Sequence, residues 1–91
     1  MTTMSKIAFS SSFKKAFKKK LKSNPQVEEV FWEKVDIFLS DPFDQRLRTH
    51  KLSGKLKNLW SFSLGYDFRV IFYFEGEQAI FIDIGSHDEV Y

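Results

Sequence analysis

Two histidines, His50 and His87, are the residues of this chain best suited to proton transfer. His50 lies in the basic run RTHKLSGK, and His87 lies in GSHDEVY near the end of the sequence. Histidine can act as a general base or a general acid because its pKa lies near neutrality. Cleavage of RNA without a metal needs a base, an acid and cations for the phosphate. The two histidines are therefore candidates for this chemistry, against the alternative that both are ordinary surface residues.

Five basic residues flank His50 and could contact phosphates. They are Arg46, Arg48, Lys51, Lys55 and Lys57. Such a basic segment binds a nucleic-acid backbone without regard to sequence and with strong salt dependence.

Arg69 alternates with Phe68 and Val70 in an apolar stretch that is typical of a strand. A charged side chain in such a strand needs a partner. Two interpretations stay open: an ion pair with Asp83 on the next strand, or a guanidinium that holds a phosphate in the transition state.

Other polar side chains give weaker indications. Asp67 follows Gly65-Tyr66, so a turn residue is the simpler interpretation and proton transfer the other. The chain has three tyrosines that could stack on bases or else serve in the core or as a chain-end anchor: Tyr66, Tyr73 and Tyr91.

The charges are segregated along the chain, although the net charge is only +2. Residues 1–24 carry seven lysines and no acid, and residues 25–45 carry six acids and one lysine. Residues 46–69 carry six basic residues and one acid, and residues 70–91 carry five acids and no base. Such blocks can fold into a bipolar surface with one face suited to phosphates.

Hydrophobic periodicity predicts two helices after a first strand at Lys6 to Ser10. In the first helix, from Ser11, a shared face carries Phe13, Ala16, Phe17 and Leu21. Asn24-Pro25 begins the second, which runs to Leu39 before Asp41-Pro42 and carries Val27, Val30, Phe31, Val35 and Phe38 at helical spacing. We expect the side chains buried against the sheet to be Phe13, Phe17, Phe31, Val35 and Phe38. We expect a helical hairpin.

Alternating patterns then predict a three-stranded antiparallel meander at Leu59 to Leu64, Phe68 to Phe74 and Ala79 to Ile84. The segment between Leu39 and Leu59 has little periodicity. The expected fold is a single α+β domain, residues 1–91, in β-α-α-β-β-β order, with the hairpin packed on a small, mainly antiparallel twisted sheet.

Several classes of protein and site are disfavoured by the composition. The chain has no cysteine, no HxxxH or carboxylate triad, and no glycine-rich phosphate loop. We therefore expect no metal and no small-molecule cofactor. No apolar stretch approaches the ~20 residues of a membrane span, and no signal peptide is evident, so a cytoplasmic protein is expected.

The runs HKLSGKLKNLWSFSLGYDFRVIFYF and IFIDIGSHDEVY resemble the C-terminal half of toxins of the RelE/ParE superfamily. The resemblance implies a RelE-like fold and a ribosome-dependent endonuclease of messenger RNA, in which the 2′-hydroxyl attacks the adjacent phosphate. It also implies control by a cognate antitoxin. The HxLxG motif of the YafQ-like branch falls on His50, Leu52 and Gly54. The resemblance further places family site residues at Asp67, Arg69, His87 and Tyr91.

Two positions depart from the family pattern. Ser63 stands where YafQ-like relatives often have a histidine, and Asp83 stands where a basic residue is frequent. These departures leave fewer proton donors and cations, so either the activity is expected to be weak or their roles would pass to His50, His87 and the loop lysines. Two alternatives remain: a ParE-like inhibitor of DNA gyrase without nuclease activity, or a degenerate member that binds only RNA or the antitoxin.

Overall fold

The computed structural model describes residues 6–52, 58–65 and 67–86 as an α+β fold, as predicted. In chain order the elements are β1 (Lys6–Phe9), α1 (Ser11–Lys20), α2 (Pro25–Ser40), β2 (His50–Lys51), β3 (Trp60–Gly65), β4 (Phe68–Glu75) and β5 (Gln78–Ser86). The predicted strands and helices are all present. The strand β2 was not predicted, because two residues are too few to show an alternating pattern.

The five strands form one sheet in the order β1-β5-β4-β3-β2. The predicted meander of β3, β4 and β5 is antiparallel throughout, and β2 extends it on the β3 side. β1 instead lies parallel to β5. Parallel neighbouring strands need a crossover connection. The chain between β1 and β5 includes both helices. β1 and β2 are therefore the two edge strands of the sheet.

Local sequence determines where the helices begin. The Ser10 hydroxyl accepts a hydrogen bond from the Phe13 amide at 3.1 Å and so caps α1. Pro25 occupies the first turn of α2 after Asn24, as predicted, although the Asn24 side chain makes no capping hydrogen bond.

The core lies between the helices and one face of the sheet. Of the five side chains predicted to be buried there, Phe13, Phe31, Val35 and Phe38 are buried. Phe17 is only half-buried, and this part of the prediction is wrong. Phe17 packs against the core but also borders the outer side of the helical hairpin, where it lines a groove.

Phe38 is the centre of an aromatic cluster that joins α2 to three strands. Its ring centroid lies 5.3 Å from Phe62, 5.1 Å from Phe72 and 5.5 Å from Phe81. All four rings are fully buried. This cluster fixes the second helix over β3, β4 and β5, and so fixes the strands that carry the candidate site.

None of the helices in the described part of the chain is both long enough and apolar enough to cross a membrane.

Candidate functional site

The candidate site lies on the sheet face opposite the helices. Along β3, core-facing Phe62 and Leu64 alternate with Ser61 and Ser63, which project to the other face. Val70 of β4 is likewise in the core, so Arg69 projects away from it.

The strand register places His50 and Arg69 on this same face. His50 pairs with Ser61, and Ser63 pairs with Arg69. Strands about 4.8 Å apart with a rise of about 3.4 Å per residue separate their Cα atoms by about 12 Å. Two residues that are far apart in sequence are thus brought within reach of one substrate.

His50 is exposed at the start of β2, and its ring is oriented by the backbone. Its Nδ1 lies 3.2 Å from the carbonyl oxygen of Arg48. A carbonyl can only accept, so of the two neutral tautomers this contact favours the one with the proton on Nδ1. The other ring nitrogen, Nε2, then keeps the lone pair that a general base requires.

The segment before β2 is held in place by hydrogen bonds at both ends. The Thr49 hydroxyl donates to the Pro42 carbonyl at 2.6 Å, and the Phe43 amide donates to Asp41 at 2.9 Å. Leu47 is fully buried, and its carbonyl accepts from the Ser63 amide at 2.8 Å. These hydrogen bonds therefore fix the backbone that leads into His50.

Arg46 forms an ion pair with Asp44 of its own segment. Its Nε and Nη2 donate to the two carboxylate oxygens of Asp44 at 2.9 and 3.0 Å. The hydrogen bonds from the Arg46 side chain and backbone lower the pKa of Asp44 to about 2. The charge of the Arg46 guanidinium is thus partly neutralised, although Arg46 is exposed, as Arg48 and Lys51 are.

Arg69 is held near the middle of the sheet by its position on β4. It faces Ser63 on one neighbouring strand and Gly85 on the other, and its Nε is buried. Asp83, the predicted ionic partner, pairs with Ile71 instead and lies two pairs further along the same sheet face. Its carboxylate accepts a hydrogen bond from the Ile84 amide at 2.8 Å.

The remaining predicted residues fall in different places. Asp67 is exposed in the turn between β3 and β4 with φ 66°, as expected of a turn residue. Lys51 pairs with Trp60, so its side chain starts on the face opposite that of His50. Four predicted site residues lie outside the described residues: Lys55, Lys57, His87 and Tyr91.

Sequence reasoning missed one feature near the site. Lys51, Trp60, Tyr73 and Phe74 line a pocket of about 430 Å³ at the end of β3. Only Tyr73 and Lys51 were singled out from the sequence, and separately. The pairing of β2 with β3 brings Lys51 to this pocket. No periodic pattern in the sequence predicts that pairing.

Groups of three or more potential metal ligands among histidine, cysteine, aspartate and glutamate do not occur within the described residues.

Similar solved structures are toxins. A copper-bound mutant toxin from Helicobacter pylori is 26% identical, with a TM-score of 0.74 over 94% of this chain and 98% of that one. YafQ from Escherichia coli is 17% identical, with a TM-score of 0.72 over 93% and 96%. The Escherichia coli DinJ-YafQ toxin-antitoxin complex matches at 17% identity with a TM-score of 0.69 over 93% and 94%. No curated protein sequence matches the chain.

Residues 5–91 match the family model described as the bacterial toxin of type II toxin-antitoxin systems, YafQ. Nearly the whole sequence is included, and the fold agrees with the RelE-like fold of the toxins above. The chain therefore belongs to the YafQ family of toxins of type II toxin-antitoxin systems.

Proposed function

We propose that this toxin is a ribosome-dependent endoribonuclease that cleaves messenger RNA in the cytoplasm and needs no metal. The observation that carries the proposal is the placement of His50 and Arg69 on one sheet face, two strands apart. A proton-transfer group and a planar cation are two of the three elements that such cleavage requires.

The reaction would begin with attack of a 2′-hydroxyl on the adjacent phosphorus. A base removes the hydroxyl proton, the new P–O2′ bond forms, and the P–O5′ bond breaks. An acid then protonates the leaving 5′-oxygen, which gives a 2′,3′-cyclic phosphate and a 5′-hydroxyl. The ring orientation of His50 suits it to remove a proton through Nε2.

Arg69 would stabilise the extra negative charge that develops on the phosphate. The strand fixes the residue, so little reorganisation is needed in the transition state. His87 is the second candidate for proton transfer, and Tyr91 would position the nucleotide, both by family resemblance. Asp67 is a further candidate from the same resemblance, and it is exposed in the turn before β4.

Basic residues beside His50 would hold the RNA backbone. Arg48, Lys51, Lys55 and Lys57 would supply screened, sequence-independent attraction to phosphates. Arg46 would contribute less, because Asp44 already binds its guanidinium.

A cognate antitoxin would hold the toxin inactive until it is needed. The DinJ-YafQ and YoeB-YefM complexes among the similar structures support such a partner. We expect the gene beside this one to encode a small protein that co-purifies with the chain.

The test is cleavage of a defined messenger on purified, programmed ribosomes at fixed salt. Loss of one proton-transfer group commonly reduces the rate by ~10²–10⁴, so His50→Ala and His87→Ala should each cut far more slowly. Arg69→Ala should also cut far more slowly. The control is Lys18→Ala, which removes one exposed and screened charge from α1 and should cut nearly as fast as the parent.

Three outcomes would contradict parts of the proposal. Equal rates for the His50 variant, the His87 variant and the parent would show that the histidines are bystanders. A parent that leaves the messenger intact but inhibits purified gyrase would establish the ParE-like alternative. A parent that does neither, yet binds its antitoxin, would be a degenerate member.

A further inference from the structure

The outer side of the helical hairpin carries a groove that is separate from the candidate site. We call it the α1–α2 groove; its volume is about 220 Å³, and its floor is formed by aromatic rings that include Phe17, Phe31 and Trp32. Trp32 is 47% exposed although its ring packs against Phe31 at 4.8 Å. An exposed indole over a preformed aromatic floor is an apolar surface that a partner can cover.

Lysines alone supply the charge of this groove. Lys14, Lys18 and Lys22 line it, and no carboxylate is among its lining residues. Lys14 and Lys18 are one helical turn apart, so their Cα atoms are about 6 Å apart along the axis of α1. The groove thus combines an apolar floor with a basic rim.

We propose that the α1–α2 groove is the docking site for an acidic, amphipathic helix of the antitoxin. The apolar side chains of that helix would cover Trp32 and Phe17, and its carboxylates would pair with the lysine rim. This proposal rests on the chain being a toxin with an antitoxin partner, but it does not depend on the chemistry of His50 and Arg69.

The groove suits a helix better than an added strand. Its lining comes from the Phe9 ring of β1 and from α1 and α2, whose backbone groups are bonded within each helix. An occupant therefore has to satisfy its own backbone hydrogen bonds, as a helix does. A strand would instead pair with the open edge of β1 or β2. RNA is the competing occupant, because its bases could stack on the aromatic floor, and the ribosome assay below distinguishes it from the antitoxin.

The experiment compares two pairs of charge reversals on the same helix. Lys14→Glu with Lys18→Glu alters the groove, whereas Lys15→Glu with Lys19→Glu makes the same charge change at exposed positions that do not line it. A third variant, Trp32→Ala, removes the apolar anchor, and Phe43→Ala is its control because Phe43 is an exposed aromatic residue that does not line the groove. The probe is the full-length protein encoded beside this gene, titrated calorimetrically into each folded variant, and thermal melting confirms that the variants fold.

We expect the groove pair and Trp32→Ala each to weaken binding by about tenfold or more, as at an interface anchor, and both controls to change it less than about threefold. Equal losses in the two lysine pairs would overturn the proposal, since they would indicate general attraction. Failure of the neighbouring protein to bind the parent would also overturn it. Unchanged antitoxin binding with slower cleavage on ribosomes would make the groove an RNA surface instead.

The two proposals fail independently in these assays. Cleavage on programmed ribosomes is measured without antitoxin, and calorimetry is measured without ribosomes. A parent that binds its antitoxin through the groove but does not cut messenger RNA would refute the nuclease and leave the docking site intact.

Discussion

His50 and Arg69 lie on one face of the sheet with β3 between them, and β3 contributes only two small side chains, Ser61 and Ser63, to that face at the intervening pairs. Ser61 is fully buried and Ser63 is half-buried, so the two long side chains, rather than β3 itself, would have to reach a shared phosphate. The two residues differ in their positions in the sheet: Arg69 lies on the central strand β4, whereas His50 is exposed on the edge strand β2.

The first prediction is that lysine cannot replace Arg69. Arg69→Lys keeps the positive charge but loses the planar fork that binds two phosphate oxygens at once. We expect cleavage by Arg69→Lys to be nearer to that of Arg69→Ala than to the parent, with the loss in kcat rather than in KM. Single-turnover cleavage on programmed ribosomes measures this. Full activity of Arg69→Lys would mean that Arg69 provides charge only.

The second prediction concerns the segment that positions His50. Thr49→Val removes the hydroxyl that donates to the Pro42 carbonyl while keeping a similar shape. Loss of this hydrogen bond should cost about 1 kcal/mol of unfolding free energy and should slow cleavage, because His50 is the next residue. Thr49→Ser, which keeps the hydroxyl, should restore cleavage. Fast cleavage by Thr49→Val together with slow cleavage by Thr49→Ser would contradict a positioning role for the Thr49 hydroxyl.

The third prediction tests the aromatic core. Phe38→Ala should destabilise the fold by about 3–5 kcal/mol, because it leaves a cavity between rings that are all fully buried. Phe43→Ala is the matched control: Phe43 is 54% exposed and should cost much less. Urea unfolding followed by tryptophan fluorescence gives both values. Similar losses for the two variants would show that the cluster around Phe38 is not the centre of the core.

The helices and the meander could be predicted from sequence because their apolar residues repeat over many positions. Phe13, Phe31, Val35 and Phe38 define helix faces that the structure buries. The half-buried state of Phe17 could not be predicted in this way, since periodicity gives a face but not its depth. The groove beside that residue depends on how α1 and α2 pack together.

The pairing of strands that are distant in the sequence could not be predicted from local patterns. The parallel alignment of β1 with β5 and the pairing of β2 with β3 join segments that no short-range signal connects. Asp83 lies on the same sheet face as Arg69 but two pairs further along β5, a spacing that the sequence alone does not supply. An irregularity between Ile71 and Phe72 leaves Ile82 as an extra residue on β5. The Ile82 carbonyl accepts a hydrogen bond from Ser12 at 2.7 Å.

The fourth prediction is an acid-sensitive contact between Asp44 and Arg46. Hydrogen bonds from Arg46 lower the pKa of Asp44 from 3.8 to about 2 in the folded chain. Because the folded pKa is depressed, the contribution to stability is present above pH 4 and is lost as the pH falls through about 2. Arg46→Gln should raise the Asp44 pKa toward 3.8, as NMR titration of the carboxyl carbon would show. An unchanged pKa would mean that Arg46 is not its cause.

The final prediction contrasts two neighbouring arginines in RNA binding. Arg46 donates to Asp44 through two nitrogens, whereas Arg48 is exposed beside His50. A phosphate must compete with a carboxylate for Arg46 but not for Arg48 in this way. Arg48→Ala should therefore weaken binding to a messenger on ribosomes and reduce the slope of log K against log salt by about 1. Arg46→Ala should change that slope less, because part of its charge is already neutralised.

Filter binding at four salt concentrations measures both slopes. Asp44→Asn provides the reciprocal control, because it should free Arg46 and make the slope steeper. A larger slope change for Arg46→Ala than for Arg48→Ala would show that RNA displaces Asp44 and that Arg46 is the principal phosphate contact.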